Sequence, residues 1–246
     1  MLHYLPSGHV YIKFNDDCDL VVDELLETNY DEEFCLAGDF SGDFLGRLME
    51  AGFLVMSAEL PGKLPEEGEN DEIPEQVYIL LPKLHLTRSV LFFHELHIKK
   101  RIRPFLSKYE LRINTDFELI LDKCVEIHGS DWLTPPLVEG LKGMHQAEKS
   151  YPAISLANPV SFSVYREGEL KAGEIGINMG RVYTSYSGYY EEDNAGMVQI
   201  ILMAKWLEKA GFDFIDLGMP LEYKTKLGAR EISPGRFVEL FRASRY

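Results

Sequence analysis

The sequence has few cysteines and no long apolar run. Its three cysteines, Cys18, Cys35 and Cys124, share no close spacing, which excludes a zinc knuckle and a CxxC redox pair. Their odd number argues against the disulfide framework of a small secreted domain. No apolar run approaches the ~18 residues that a membrane span needs, and the opening MLHYLPSGHVYIKFNDD lacks the basic start and apolar stretch of a signal peptide. We therefore expect a cytoplasmic protein that does not bind membranes.

Positive charge is scarce in the first third of the chain. Residues 1–90 hold 19 acids and 5 bases, whereas residues 91–246 hold 21 acids and 20 bases, and the whole chain carries −15. An acidic surface repels a phosphate backbone, so the first third is not expected to lie along a nucleic acid. The only dense basic run comprises Lys99, Lys100, Arg101 and Arg103. Such a run is typical of a solvated surface, but in an acidic protein we favour a phosphate contact.

The apolar pattern predicts an α/β (α+β) fold. Residues 41–52 predict a short helix that Ser41 caps and Gly52 ends, and residues 61–75 predict a solvated loop. The segment TDFELILDKCVEIHG predicts an amphipathic helix with Asn114 or Thr115 as its cap. A further helix is predicted to begin with the prolines of TPPLVEGLKGMHQAEKS.

The pattern changes at residue 160. Three alternating strands are followed by a long apolar helix, which Gly211 ends, and by the strand FDFIDLG. This order is typical of the second half of an N-acetyltransferase-like fold. We therefore expect an N-acetyltransferase-like domain over 101–246 and a smaller N-terminal α/β domain over 1–100.

Coenzyme A is not expected to bind, although that fold often binds it. Its pyrophosphate would require a glycine-rich loop at the start of the helix that follows the three strands. Here Glu191, Glu192 and Asp193 place three negative charges at that junction. We predict no cofactor. His94 and His97 lack a third ligand at a compatible spacing, so no metal site is predicted either.

Two residues have a functional and a structural interpretation. Asp216 ends the strand FDFIDLG, where its carboxylate could accept a proton from an attacking amine or cap the following loop. Trp132 lies between two predicted helices, where it could stack on a base or pack in the core.

Several motifs resemble one family in their order along the chain. CLAGDFSGDFLGRLMEAGF resembles a GGDLS segment with its helix, Glu95–Ile98 an SLHIS element, and Asp131–Thr134 a TWIT element. FIDLGMPLEYKTKLGAREI resembles an I-D-x-Q segment that runs into SLGA. These motifs are similar to those of the leucyl/phenylalanyl-tRNA–protein transferases, which move an amino acid from its tRNA to a protein N-terminus.

The resemblance implies an aminoacyltransferase whose partners are aminoacyl-tRNA and the N-terminus of an acceptor protein. It implies that Asp216 is catalytic and that the basic run contacts tRNA. The family's G-E-S-M-F-S corresponds to Ser185–Tyr190, and Gly218 stands where the family has glutamine. The substrate-binding residues that it implies are Trp132, Tyr186, Ser187, Gly188, Tyr190, Ile200, Met203, Leu207, Ile215 and Gly218.

Other interpretations stay open. Helical spacing alone makes Ile200, Met203 and Leu207 ordinary core residues. Tyr186 replaces the family's acid and Gly218 its glutamine, which favours a non-catalytic member that binds a peptide, tRNA or small molecule. A coenzyme A-dependent acetyltransferase is the third alternative, and the acidic junction disfavours it. We expect a monomer.

Overall fold

A computed structural model describes residues 2–60, 77–150 and 157–246. The loop predicted over 61–75 lies outside the described residues. The helices are α1 Cys18–Glu27, α2 Gly42–Glu50, α3 Arg103–Leu106, α4 Phe117–His128, α5 Pro135–Ser150, α6 Ala195–Lys209, α7 Glu222–Lys226 and α8 Pro234–Ser244. The strands are β1 Leu54–Leu60, β2 Val77–Lys83, β3 Arg88–Phe92, β4 Glu110–Ile113, β5 Ala157–Arg166, β6 Glu169–Met179, β7 Val182–Tyr190, β8 Phe214–Asp216 and β9 Arg230–Ile232.

The centre of the fold is a seven-stranded sheet in the order β4-β5-β6-β7-β8-β3-β9. Strands β5, β6 and β7 form an antiparallel meander, and α6 then carries the chain to β8, which is parallel to β7. The predicted α/β fold is confirmed. So is the predicted order of three strands, helix and strand in the second half of the chain.

Helices cover both faces of this sheet. Along β6, Ile175 and Ile177 pack into the main core together with α4, whereas Ala172 packs with α6 on the other side. Successive side chains of a strand point to opposite faces, so β6 is buried on both sides. A polar residue at such a strand position is therefore placed inside the protein.

The N-terminal part packs onto this sheet. It contains α1, α2 and the antiparallel pair β1-β2, and its apolar residues share one core with α4, α5 and α8. Strand β3 pairs with both β8 and β9, although it precedes the boundary predicted at residue 100. The division into domains 1–100 and 101–246 stays a prediction.

Local signals explain several helix ends. Ser41 caps α2 by accepting a hydrogen bond from the backbone N–H of Phe44, and Gly52 follows the helix with a φ of 102°, a conformation that favours glycine. The predicted cap of α4 was wrong by one or two residues, because Asp116 occupies the N-cap position. The side chain of Asn114 instead accepts the N–H of Ser161 from the neighbouring strand.

Candidate active site

A cavity of about 580 Å³ opens beside the carboxyl end of β7. The parallel pairing of β7 with β8 ends at Thr184 and Asp216, and beyond this point the two strands separate. Ligands commonly bind outside the carboxyl ends of parallel strands. The residues that line the cavity are Lys99, Arg101, Ile102, Glu174, Ser185, Tyr186, Ser187, Gly188, Tyr189, Tyr190, Asp193, Asn194, Gly196, Met197, Gln199, Ile200, Leu217, Tyr223 and Lys224.

A β-bulge at Tyr186 shapes one wall of this cavity. Ile175 is the partner of Ser187 and Gly176 is the partner of Ser185, so Tyr186 is an extra residue in β7. A bulge bends its strand and redirects side chains. The ring of Tyr186 contacts the half-buried Trp132, with 5.7 Å between the ring centroids. Burial raises the pKa of Tyr186, whose hydroxyl has no partner among the described residues.

The predicted substrate-binding residues fall into two groups. Tyr186, Ser187, Gly188, Tyr190 and Ile200 line the cavity. The others do not: Trp132 packs behind Tyr186, Gly218 is buried, and the side chains of Met203, Leu207 and Ile215 lie in a buried core between α6 and the sheet. The structure thus brings five of these residues together at one cavity, and the binding role of all of them stays a prediction.

Asp216 is fully buried and does not line the cavity. Its Oδ1 accepts hydrogen bonds from Arg88 Nε at 2.7 Å and from the N–H of Gly218 at 2.9 Å. Its Oδ2 accepts from Arg88 Nη2 at 2.5 Å and from the Thr184 hydroxyl at 3.0 Å. Burial opposes ionisation of Asp216, but the charge and hydrogen bonds of Arg88 outweigh it, so its pKa is lowered. Its role as a general base stays a prediction.

Gly218 continues the loop after β8 with a φ of 68°. A Cβ placed on this glycine would lie 3.6 Å from Nε2 of the buried His85. This nitrogen has no hydrogen-bond partner among the described residues. Burial, together with the charge of Arg88, lowers the pKa of His85 to about 3, so the ring is neutral at pH 7.

Comparison with known proteins identifies the family. The family model of the leucyl/phenylalanyl-tRNA protein transferases matches residues 90–242. The chain belongs to this family. It is 31% identical over 157 residues to the leucyl/phenylalanyl-tRNA–protein transferase of Pseudomonas putida (strain W619), an alignment that covers 62% of this chain and 66% of that protein. The chain therefore spans just under two thirds of this relative's length.

Solved structures are only distantly similar. The crystal structure of FemX has a TM-score of 0.44 at 10% identity, and the match covers 94% of this chain and 81% of the FemX chain. The structure of a GCN5-related N-acetyltransferase from Anabaena variabilis has a TM-score of 0.40 at 9% identity. The match covers 95% of this chain and 55% of that one. Similarity at this level supports no functional comparison.

Two charged residues of this transferase family member are functional candidates that sequence reasoning missed. Glu174 is 4% exposed and lines the cavity; burial raises its pKa, although Ser185, Tyr183 and Gln199 partly offset the shift. Lys224 Nζ donates to the carbonyl oxygens of Leu217 at 2.5 Å and Met219 at 2.8 Å, and burial lowers its pKa. The sequence signal that could have identified Glu174 is an acidic residue in the middle of a largely buried strand.

The basic run lies at the edge of the cavity. Lys99 and Arg101 line it, whereas the exposed Lys100 and Arg103 lie outside its lining. None of the four forms an ion pair with a residue that the structure describes. Two of the predicted tRNA-binding cations are therefore available to an anion at the cavity.

The described residues contain neither a cluster of metal ligands nor a membrane-spanning helix. In the part of the chain that the structure describes, no group of three or more His, Cys, Asp or Glu side chains could hold a metal ion. No helix within 2–60, 77–150 and 157–246 is long and apolar enough to cross a membrane.

Proposed function

We propose that this protein transfers an aminoacyl group from aminoacyl-tRNA to the N-terminal amine of an acceptor protein. Membership of the transferase family supports the reaction class. The observation that carries the proposal is the cavity, which combines cations at its edge with a buried polar interior. Such a cavity suits the 3′ end of a charged tRNA, because phosphates meet Lys99 and Arg101 while the aminoacyl group enters the interior.

The proposed reaction needs no redox step. The nitrogen of the acceptor amine attacks the ester carbonyl carbon, an amide C–N bond forms, and the C–O bond to the ribose breaks. The amine loses a proton and the ribose oxygen gains one, so the reaction balances without a further reactant. Holding the amine and the ester together supplies much of the rate, since positioning replaces a bimolecular encounter.

Asp216 has a positioning role in this proposal. Both of its carboxylate oxygens are engaged, and one of them holds the backbone of Gly218. It therefore fixes the start of the loop that leads from β8 to α7. Leu217 in this loop and Lys224 on α7 both line the cavity. Direct proton acceptance would require the ion pair with Arg88 to open. Turnover and tRNA affinity of Asp216→Asn distinguish proton acceptance from positioning.

The test is transfer of a radiolabelled amino acid from charged tRNA to a peptide that begins with Arg or Lys. Several charged tRNAs are needed, leucyl-, phenylalanyl- and lysyl-tRNA among them. The same peptide with an acetylated N-terminus is the control, because it has no free amine. Label in the free peptide alone supports the proposal. Absence of transfer from every charged tRNA would refute it.

A second candidate is a member of the family that binds charged tRNA without catalysis. The locked ion pair of Asp216 favours it, because a carboxylate with all its partners in place is a poor proton acceptor. Saturable binding of charged tRNA without transfer would establish this alternative.

A further inference from the structure

Glu174 is a buried carboxylate on the wall of the candidate active site. It lies on β6 opposite Gly188 of β7, and it is 4% exposed while lining the cavity. A Cβ on Gly188 would lie 3.4 Å from the Cβ of Glu174 and 3.1 Å from the carbonyl oxygen of Gly173. The absence of a side chain at position 188 therefore keeps open the space beside Glu174.

The phenol of Tyr183 holds this carboxylate in place. Its hydroxyl donates to Glu174 Oε1 at 3.0 Å, and its ring lies over Gly176, where a Cβ would meet the ring at 2.3 Å. Tyr183 is itself fully buried. The orientation of the carboxylate is thus built into the sheet.

Lys224 does not neutralise Glu174 by direct contact. Its ammonium donates to the carbonyl oxygens of Leu217 and Met219, and no ion pair joins it to Glu174 within the described residues. A carboxylate has about four acceptor sites, and the side chains of Tyr183, Ser185 and Gln199 supply hydrogen bonds to this one. These three donors are uncharged, and Glu174 keeps about one acceptor site for a charged donor of a ligand.

The rest of the cavity suits a long side chain with a charged tip. Met197, Ile200 and Tyr186 supply apolar wall, against which an alkyl chain packs. Burying a carboxylate is costly unless a cation pairs with it, and a purely apolar side chain would leave Glu174 in contact with uncharged donors only. An ammonium or guanidinium group would form a charge-assisted hydrogen bond with it. The cations Lys99 and Arg101 at the edge would meet the opposite, phosphate-bearing end of the same ligand.

We propose that the cavity selects an aminoacyl group with a cationic side chain, lysyl or arginyl, whose terminal nitrogen pairs with Glu174. This inference rests on the proposed function, since it names the aminoacyl class that the same cavity takes. The proposed aminoacyl groups differ from the leucyl and phenylalanyl groups in the name of the family. Leucyl and phenylalanyl side chains carry no group that could pair with a buried acid.

The first test compares two ligands with the unmodified protein. Two adenosine analogues with an amine at the ribose 3′ position are titrated, one with an amide-linked lysyl group and one with an amide-linked norleucyl group. The norleucyl group has the alkyl chain but no terminal ammonium. Both are stable to hydrolysis, so binding is read without turnover. One charge-assisted hydrogen bond predicts that the lysyl ligand binds about tenfold or more tightly. Equal affinity, or tighter binding of the norleucyl ligand, would overturn the inference.

The second test uses Glu174→Gln, which keeps the size of the side chain and removes its charge. The variant should reduce the preference for lysyl over norleucyl adenosine about tenfold. Glu191→Gln is the matched control, because it removes the same charge from an exposed residue outside the cavity lining, and it should keep the preference. An unchanged preference in a folded Glu174→Gln variant contradicts the inference. If the variant does not fold, the ligand comparison above still decides it.

Failure of the inference is distinguishable from failure of the proposed function. Transfer of leucine or phenylalanine in preference to lysine and arginine would refute the inference and leave the transferase proposal intact. A lysyl preference in binding without transfer from any charged tRNA would refute the transferase proposal and leave the ligand class intact.

Discussion

Asp216 and Arg88 form a buried ion pair with two hydrogen bonds that joins β8 to β3. The guanidinium also lies 4.2 Å from the centroid of the Phe237 ring on α8. The pair therefore ties the middle of the sheet to the C-terminal helix. Because 128 residues separate the partners, it joins two strands of the sheet that lie far apart in the sequence.

Removing the charge of Asp216 should destabilise the fold. In Asp216→Asn, Arg88 keeps a buried charge without its partner, and loss of one member of such a pair costs roughly 3–5 kcal/mol. Urea unfolding should show this drop in the free energy of unfolding. The double variant Arg88→Met/Asp216→Leu, which buries no charge, should recover much of it. If Asp216→Asn unfolds like the unmodified protein, the pair does not stabilise the sheet.

The same variant tests the catalytic role of Asp216. Under conditions where Asp216→Asn is folded, a general-base role predicts a loss of turnover of about 10²–10⁴-fold with tRNA affinity nearly unchanged. A positioning role predicts that tRNA affinity falls together with turnover, because the loop that lines the cavity is displaced. Turnover and affinity measured on one preparation separate the two roles.

Local signals made the meander, α2 and α6 predictable, because caps, glycine stops and apolar spacing act within a dozen residues. The place of β3 was not predictable in this way, since its partners β8 and β9 lie far along the chain. The same holds for Arg88: nothing near it in sequence indicates that its partner is Asp216. Tyr186, Ser187, Gly188, Tyr190 and Ile200 were placed at one site only through the family resemblance, and Glu174 was missed because its cavity is assembled from distant segments.

His85 should make the protein sensitive to mild acid. Its pKa is about 3 in the folded protein against an ordinary 6.5. At a pH between these two values, the imidazole is therefore protonated in the unfolded chain and neutral in the folded protein. The free energy of unfolding then falls as pH decreases below 6.5, by about 1.4 kcal/mol per pH unit. Between pH 7 and 5, the free energy of unfolding measured in urea should fall by roughly 2 kcal/mol less for His85→Gln than for the unmodified protein. Equal losses would contradict this prediction.

Gly176→Ala should disturb the contact between Tyr183 and Glu174. The added Cβ would lie 2.3 Å from the tyrosine ring and 2.5 Å from the carbonyl oxygen of Thr184, and overpacking of this kind costs about 1–3 kcal/mol. Gly143→Ala on α5 is the control, because its Cβ meets nothing within 4 Å and alanine favours a helix by roughly 0.5–1 kcal/mol. Thermal unfolding should separate the two variants, and similar melting temperatures would show that β6 adapts to the methyl group.

Coenzyme A is predicted not to bind measurably. At the start of α6, Asp193 lines the cavity and Glu191 is exposed, while Glu192 accepts hydrogen bonds from Tyr109 and Arg166. These acids repel a pyrophosphate at the helix N-terminus, where it would otherwise be stabilised. Calorimetric titration with acetyl-coenzyme A should release no binding heat, and micromolar affinity would contradict the prediction.

The basic run is predicted to contact tRNA phosphates. Replacing Lys99, Lys100 and Arg101 with alanine should weaken binding of aminoacyl-tRNA and flatten its salt dependence, because each lost phosphate contact lowers the slope by roughly 0.7–0.9. The control removes the exposed cations Lys13, Lys205 and Lys209, which lie outside the cavity lining, so both triple variants change the net charge equally. Affinity is measured at several salt concentrations. If both variants shift affinity and slope alike, the effect reflects net charge alone; a larger loss and a shallower slope in the first variant places the phosphate contacts at the edge of the cavity.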